Sequence, residues 1–203
     1  MTTVAASYER RDVRTILTSG AGLGVTTAVG VAAFALLSRS LEGTVEVVAQ
    51  SVIILFGGMV ATFGAARNIR PRTIDAIGWC ALAGLMGAGV FTVLDIALLR
   101  PLGLYHWTWD AIGGGSGWWY IPIWWMGAAF LAWLGAWSYA NRARDAEDAN
   151  LATLGAQVVI GAVVVWAALA LTGVTPFNAA AAALAFALSL VVQVPLSAAM
   201  GRR

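Results

Sequence analysis

The sequence predicts an all-α, polytopic membrane protein: a bundle of six transmembrane helices with both termini in the cytoplasm. Composition is the first reason, since 60% of the 203 residues are hydrophobic and 11% charged, against about 45–50% and about 25% in soluble domains. Mean hydropathy is +0.81. Periodic recurrence is the second: apolar stretches close to the roughly 20 residues that cross a bilayer occupy 15–37, 45–66, 74–98, 118–140, 153–173 and 177–199. Arginine placement is the third. Arg10, Arg11, Arg14, Arg67, Arg70, Arg72, Arg142, Arg144, Arg202 and Arg203 fall on one side of such a bundle, and only Arg39 and Arg100 on the other. Because cytoplasmic loops carry the excess of positive charge, the arginine-rich side is cytoplasmic and the membrane is the cell's inner one.

In chain order, residues 1–14 form a polar cytoplasmic segment, and 15–203 a single transmembrane domain. The first span outlasts a signal-peptide core, and its end, "LLSRSLEG", has no small-residue cleavage site, so it is expected to be retained. Around the start of span two, Glu42, Glu46 and Gln50 recur every four residues and share a helix face. Span three carries Asp95 about one turn inside its outer end. A carboxylate there is costly unless paired, protonated or hydrated, which makes Asp95 and Glu46 candidate functional groups; Arg39 and Arg100 are the nearby cations. The outer connection 99–117 is long and contributes Tyr105, His106, Trp107, Trp109 and Asp110 before a run of glycines. Such a loop can fold back over the bundle mouth, but it lacks the lysine and spacing of a phosphate-binding loop. Spans one, five and six are rich in Ala, Val, Gly and Leu, a composition suited to close helix packing. The remaining loops are short, so consecutive helices are expected side by side.

Several functions are excluded. All 12 basic residues are arginine, so no lysine exists to form a Schiff base. The single cysteine, Cys80, can form no intrachain disulfide, and one histidine supplies no paired-imidazole metal site; no metal is expected. The arginines form no continuous patch, which argues against nucleic acid and for anionic lipid headgroups. No span carries a ladder of ionisable residues through its depth, as an ion pathway would. Gln50, Gln157 and Gln193 are the deep amides, and helix-to-helix hydrogen bonding accounts for them.

Span four holds six tryptophans. At 100° per residue, Trp118, Trp119, Trp125, Trp133 and Trp137 share an arc of about 120°, with Trp124 outside it. Preference for the headgroup level explains Trp118 and Trp119 at one end and Trp137 at the other. Trp125 and Trp133 lie about 10 and 22 Å deeper than Trp118, where an indole packs either on a neighbouring helix or on a long flat ligand.

From Asp95 to Trp125, "LDIALLRPLGLYHWTWDAIGGGSGWWYIPIWW" resembles the bacterial carotenoid biosynthesis membrane proteins that include the bisanhydrobacterioruberin-type hydratases. Asp95, Leu102, Gly103, Trp107, Trp109, Gly117, Tyr120, Ile121 and Pro122 occupy the matching positions. The resemblance implies protonation of a terminal isoprenoid double bond by an acid such as Asp95 or Glu46, then capture of the cation by water or an internal alkene. Indole faces stabilise a nearby cation by about 0.5–2 kcal/mol. The expectation is therefore a membrane protein that binds an isoprenoid or polyene along Trp107, Trp109, Asp110, Tyr105, His106, Trp118, Trp125 and Trp133, with Asp95 and Glu46 as catalytic acids of a hydratase or cyclase. No cofactor is required, although a bound carotenoid, quinone or other lipid fits the same groove. The alternative is a non-enzymatic binding subunit of a pigment-bearing or respiratory complex or of a vitamin transporter, working beside other membrane subunits.

Overall fold

The computed structural model describes residues 12–104, 124–143 and 149–201. Among them the chain forms α1 (Val13–Ser40), α2 (Gly43–Ile69), α3 (Ile74–Leu94) continued by a π-helical turn (Asp95–Leu99), α4 (Gly127–Arg142), α5 (Leu151–Leu171) and α6 (Ala179–Gly201). The all-α expectation holds. Five of these helices, α1, α2, α3 with its π turn, α5 and α6, are long and apolar enough to cross a membrane. Helix α4 has 16 residues, about 24 Å of rise, and is preceded by a π turn at Trp124–Met126. The start of the expected fourth span lies outside the described residues.

Sequence chemistry sets the helix ends. Asp12 caps α1 by accepting from the Thr15 amide at 2.9 Å, Thr73 caps α3 from the Ala76 amide at 3.3 Å, and Asn150 caps α5 from the Thr153 amide at 3.1 Å. Each side-chain oxygen satisfies an amide that the first helical turn leaves unpaired. Helix α2 ends where Arg70 takes a left-handed conformation, φ 53°, and the adjoining Pro71 cannot continue the ladder.

Large and small residues are distributed inside out. Ala65, Ala66, Ala76, Ala83, Ala132 and Ala182 are fully buried, whereas Val29 is 63%, Phe56 58% and Val191 61% exposed. In water every such side chain would forfeit about 1.5–3 kcal/mol of burial. In lipid it forfeits nothing, and small residues inside let backbones approach.

That approach decides the topology. A Cβ built on Gly24 of α1 would lie 2.6 Å from the Gly87 carbonyl oxygen of α3, and one on Gly84 of α3 2.6 Å from the Ala128 oxygen of α4. Gly135 of α4 meets the Thr62 backbone of α2 in the same manner. Helices α1 to α4 thus close a ring, while α5 and α6 pair with each other and α6 docks against α2 and α4. Consecutive helices are neighbours in the pairs α1–α2, α3–α4 and α5–α6. The expectation fails at α4–α5, which scarcely touch, and weakens at α2–α3: the glycine seam seats α3 chiefly on α1.

Candidate functional site

The ring places one end of α3 against α1 and the start of α4. There, α3 loosens into the π turn Asp95–Leu99, in which the Arg100 amide donates to the Asp95 carbonyl at 3.0 Å. In a regular α-helix a residue five positions on points about 140° away. The wider turn instead brings Arg100 back over Asp95, and Arg100 Nε donates to Asp95 Oδ2 at 2.9 Å. Asp95 is 2% exposed and the Arg100 side chain 44%. Such π turns are rare and recur at functional sites. No sequence signal announces one, so this pairing is invisible to a count at 100° per residue.

After the π turn the chain reverses through Gly103, whose φ of +60° suits a residue without Cβ. Its carbonyl accepts from Arg39 Nη2 of α1, and its amide returns to the Arg100 carbonyl at 2.9 Å. Glu46 is held elsewhere. Gln50 Nε2 donates to Glu46 Oε1 at 2.7 Å and to Ser38 Oγ of α1 at 2.9 Å, so Glu46 belongs to the α1–α2 seam. Asp95 belongs to the α1–α3 corner, where the π turn packs on α1.

The tryptophans divide. Trp125 Nε1 donates to Thr92 Oγ1 at 3.0 Å, and Thr92 in turn donates to the Ala88 carbonyl at 2.8 Å. Trp124 sits on Phe91 with ring centroids 5.0 Å apart. Both indoles join the cluster of Ala28, Phe91 and Leu99, whose Phe91 and Leu99 stand four residues before and after Asp95. Trp133 is 41% exposed and stacks on Phe130, centroids 6.1 Å apart, facing outward. Trp137 packs partly buried on the Ile77 and Cys80 cluster. One shared arc does not describe these positions, because residues 124–126 are π-helical and the wheel slips there. Sequence reasoning missed Trp124, Phe91 and Thr92; the last two lie three to four residues before Asp95, the spacing at which helix positions share a face.

Beside Trp124 lies a cavity of about 40 Å³, lined among others by Leu23, Thr27, Gly87, Phe91 and Ala128. Water occupies about 30 Å³ in the liquid, so a polyene does not fit there. Tyr105, His106, Trp107, Trp109, Asp110 and Trp118 lie outside the described residues. Among those described, no three His, Cys, Asp or Glu side chains gather as a metal site would require. Chemically, the corner offers a carboxylate, two guanidiniums and neighbouring aromatic rings. Asp95 Oδ2 is engaged by the Arg100 guanidinium, a charge-assisted contact. No family model, curated protein or solved structure matches this chain.

Proposed function

We propose that the chain is a six-span protein of the cell's inner membrane, both termini cytoplasmic, that binds a long isoprenoid or polyene at the outer end of α3 and α4. The observation that carries this reading is the almost fully buried Asp95, set in a π turn whose Leu99 belongs to the cluster that includes Phe91, Trp124 and Trp125. An intramembrane carboxylate is kept at a cost, and function is its default explanation. Since the cavity beside Trp124 is too small, the apolar chain lies along the protein–lipid boundary, where Phe130 and Trp133 offer a stacked, outward-facing strip. Binding without chemistry is favoured because Asp95 is engaged by Arg100; the protein then serves as the small-molecule-binding subunit of a larger membrane assembly.

The carotenoid hydratase or cyclase is the second reading, favoured by the depth of Asp95 alone, and it requires the salt bridge to open so that Asp95 can carry a proton. The absorption spectrum of protein purified from its native membrane tests the first reading: a stoichiometric polyene or quinone band that survives Asp95→Asn supports binding. Turnover of an acyclic carotenoid in reconstituted membranes, abolished by Asp95→Asn, would replace it with the enzyme. Reporter fusions at both ends, each scoring cytoplasmic, test the six-span topology; opposite sides would overturn it.

A further inference from the structure

This inference rests on the proposed isoprenoid site and deepens it. We infer that the ligand is an amphiphile whose head is a phosphate-class anion, bound by Arg39 and Arg100. These two arginines stand on the side that the charge rule leaves poor in cations, and the fold anchors both on one short stretch, 95–103. Arg100 reaches back to Asp95, and Arg39 arrives from α1 at the Gly103 carbonyl. Both side chains are exposed at that turn. A guanidinium carries five N–H donors in a fork that matches phosphate oxygens, and the bond to Gly103 engages only Arg39 Nη2.

Among the described residues, Asp95 pairs with Arg100 and Glu46 accepts from Gln50. Ser38 and Arg39 are about 100° apart on α1, and Ser38 takes the side toward α2 by accepting from Gln50, which also holds Glu46. Glu46 therefore belongs to the side of α1 that faces α2. Asp95 is buried and directs its Oδ2 to Arg100 Nε. The same end of α3 holds the cluster of Leu99, Phe91, Trp124 and Trp125. A charged rim beside an aromatic cluster is complementary to a charged head on an apolar chain.

The test measures binding of a polyprenyl phosphate and of the neutral polyprenol of equal length to the full chain in phosphatidylcholine nanodiscs, with phosphatidylglycerol as competitor. The phosphate is expected to bind about 10- to 100-fold tighter, the worth of one or two charge-assisted hydrogen bonds. Arg39→Gln should abolish the difference and Arg39→Lys should keep part of it. Because Arg39 is exposed, both variants are expected to fold, checked by continued protection of the buried Cys80 thiol. Equal binding of phosphate and alcohol, unmoved by Arg39→Gln, would overturn the anionic head and leave the isoprenoid site standing. Displacement by equimolar phosphatidylglycerol would overturn the isoprenoid as ligand in favour of an ordinary phospholipid head. Binding of neither probe would overturn both readings.

Discussion

Adding one methyl group at Gly24 tests whether backbone contact between α1 and α3 holds the fold. A Cβ there would lie 2.6 Å from the Gly87 carbonyl oxygen and 2.6 Å from Val90 Cβ. Both fall about 0.8 Å short of the 3.4 Å at which ordinary contact begins, and neither obstacle is the tip of a flexible side chain, so no rotamer change relieves the clash. The helices must part by several tenths of an ångström, a gap that forfeits roughly a quarter to a half of each lost contact. Overpacking of this kind costs about 1–3 kcal/mol, which for a chain of this size corresponds to a fall in Tm of about 2–12 °C at roughly 2–4 °C per kcal/mol. Gly22 lies two residues away on the same helix, and a Cβ there would meet nothing within 4 Å. Gly22→Ala is therefore the matched control, neutral or stabilising by up to about 1 kcal/mol through helix propensity. The readout is labelling of Cys80, the only cysteine, which is buried on α3 and reacts with a maleimide only when the bundle opens. Faster labelling and a lower midpoint in Gly24→Ala, with Gly22→Ala unchanged, is the expected pattern. Indistinguishable curves for the two variants would refute the close seam.

Asp95→Ala should destabilise the bundle by about 1–3 kcal/mol, toward the low end because solvent reaches the 44% exposed Arg100. Adding Arg100→Ala should recover part of that loss, and strictly additive effects in unfolding by steric trapping would deny the coupling. Trp125→Phe should cost about 0.6 kcal/mol, near the average for a hydrogen bond between membrane helices, and Thr92→Val should add little to it; a full second increment in the double variant would rule out the 3.0 Å bond. Gln193→Leu should loosen α6 from α5 by a similar amount, since Gln193 donates to Gln157 Oε1 at 2.7 Å. Unchanged thermal stability in that variant would mean the amide pair contributes nothing.

Much of the scaffold was legible because bilayer physics writes it in simple terms. Length and hydropathy located the long apolar helices to within a few residues, and the deep amides Gln157 and Gln193 pair between helices as a lipid environment demands. Asp95 was legible as a buried carboxylate, and Arg100 was one of two partners named for it. What stayed hidden depended on geometry with no compositional mark. The π turns at Asp95–Leu99 and Trp124–Met126 insert extra residues into the helical count, so among the described tryptophans the predicted arc breaks between Trp125, which bonds to Thr92, and Trp133, which faces out. Likewise glycines spread over α1 and α3 look alike in the sequence; only the fold distinguishes Gly24, which touches a backbone, from Gly22, which touches nothing. That distinction decides which helices are neighbours.

The weak junction between α4 and α5 carries a consequence for biogenesis. Helices α1 and α2, and likewise α5 and α6, are joined by short connections, so each couple can form as a hairpin before it meets the rest. The last couple reaches the others through side-on docking of α6 rather than through its tether. Cutting the backbone between Ala143 and Ala149 should therefore yield two fragments that, co-expressed, reassemble into one particle.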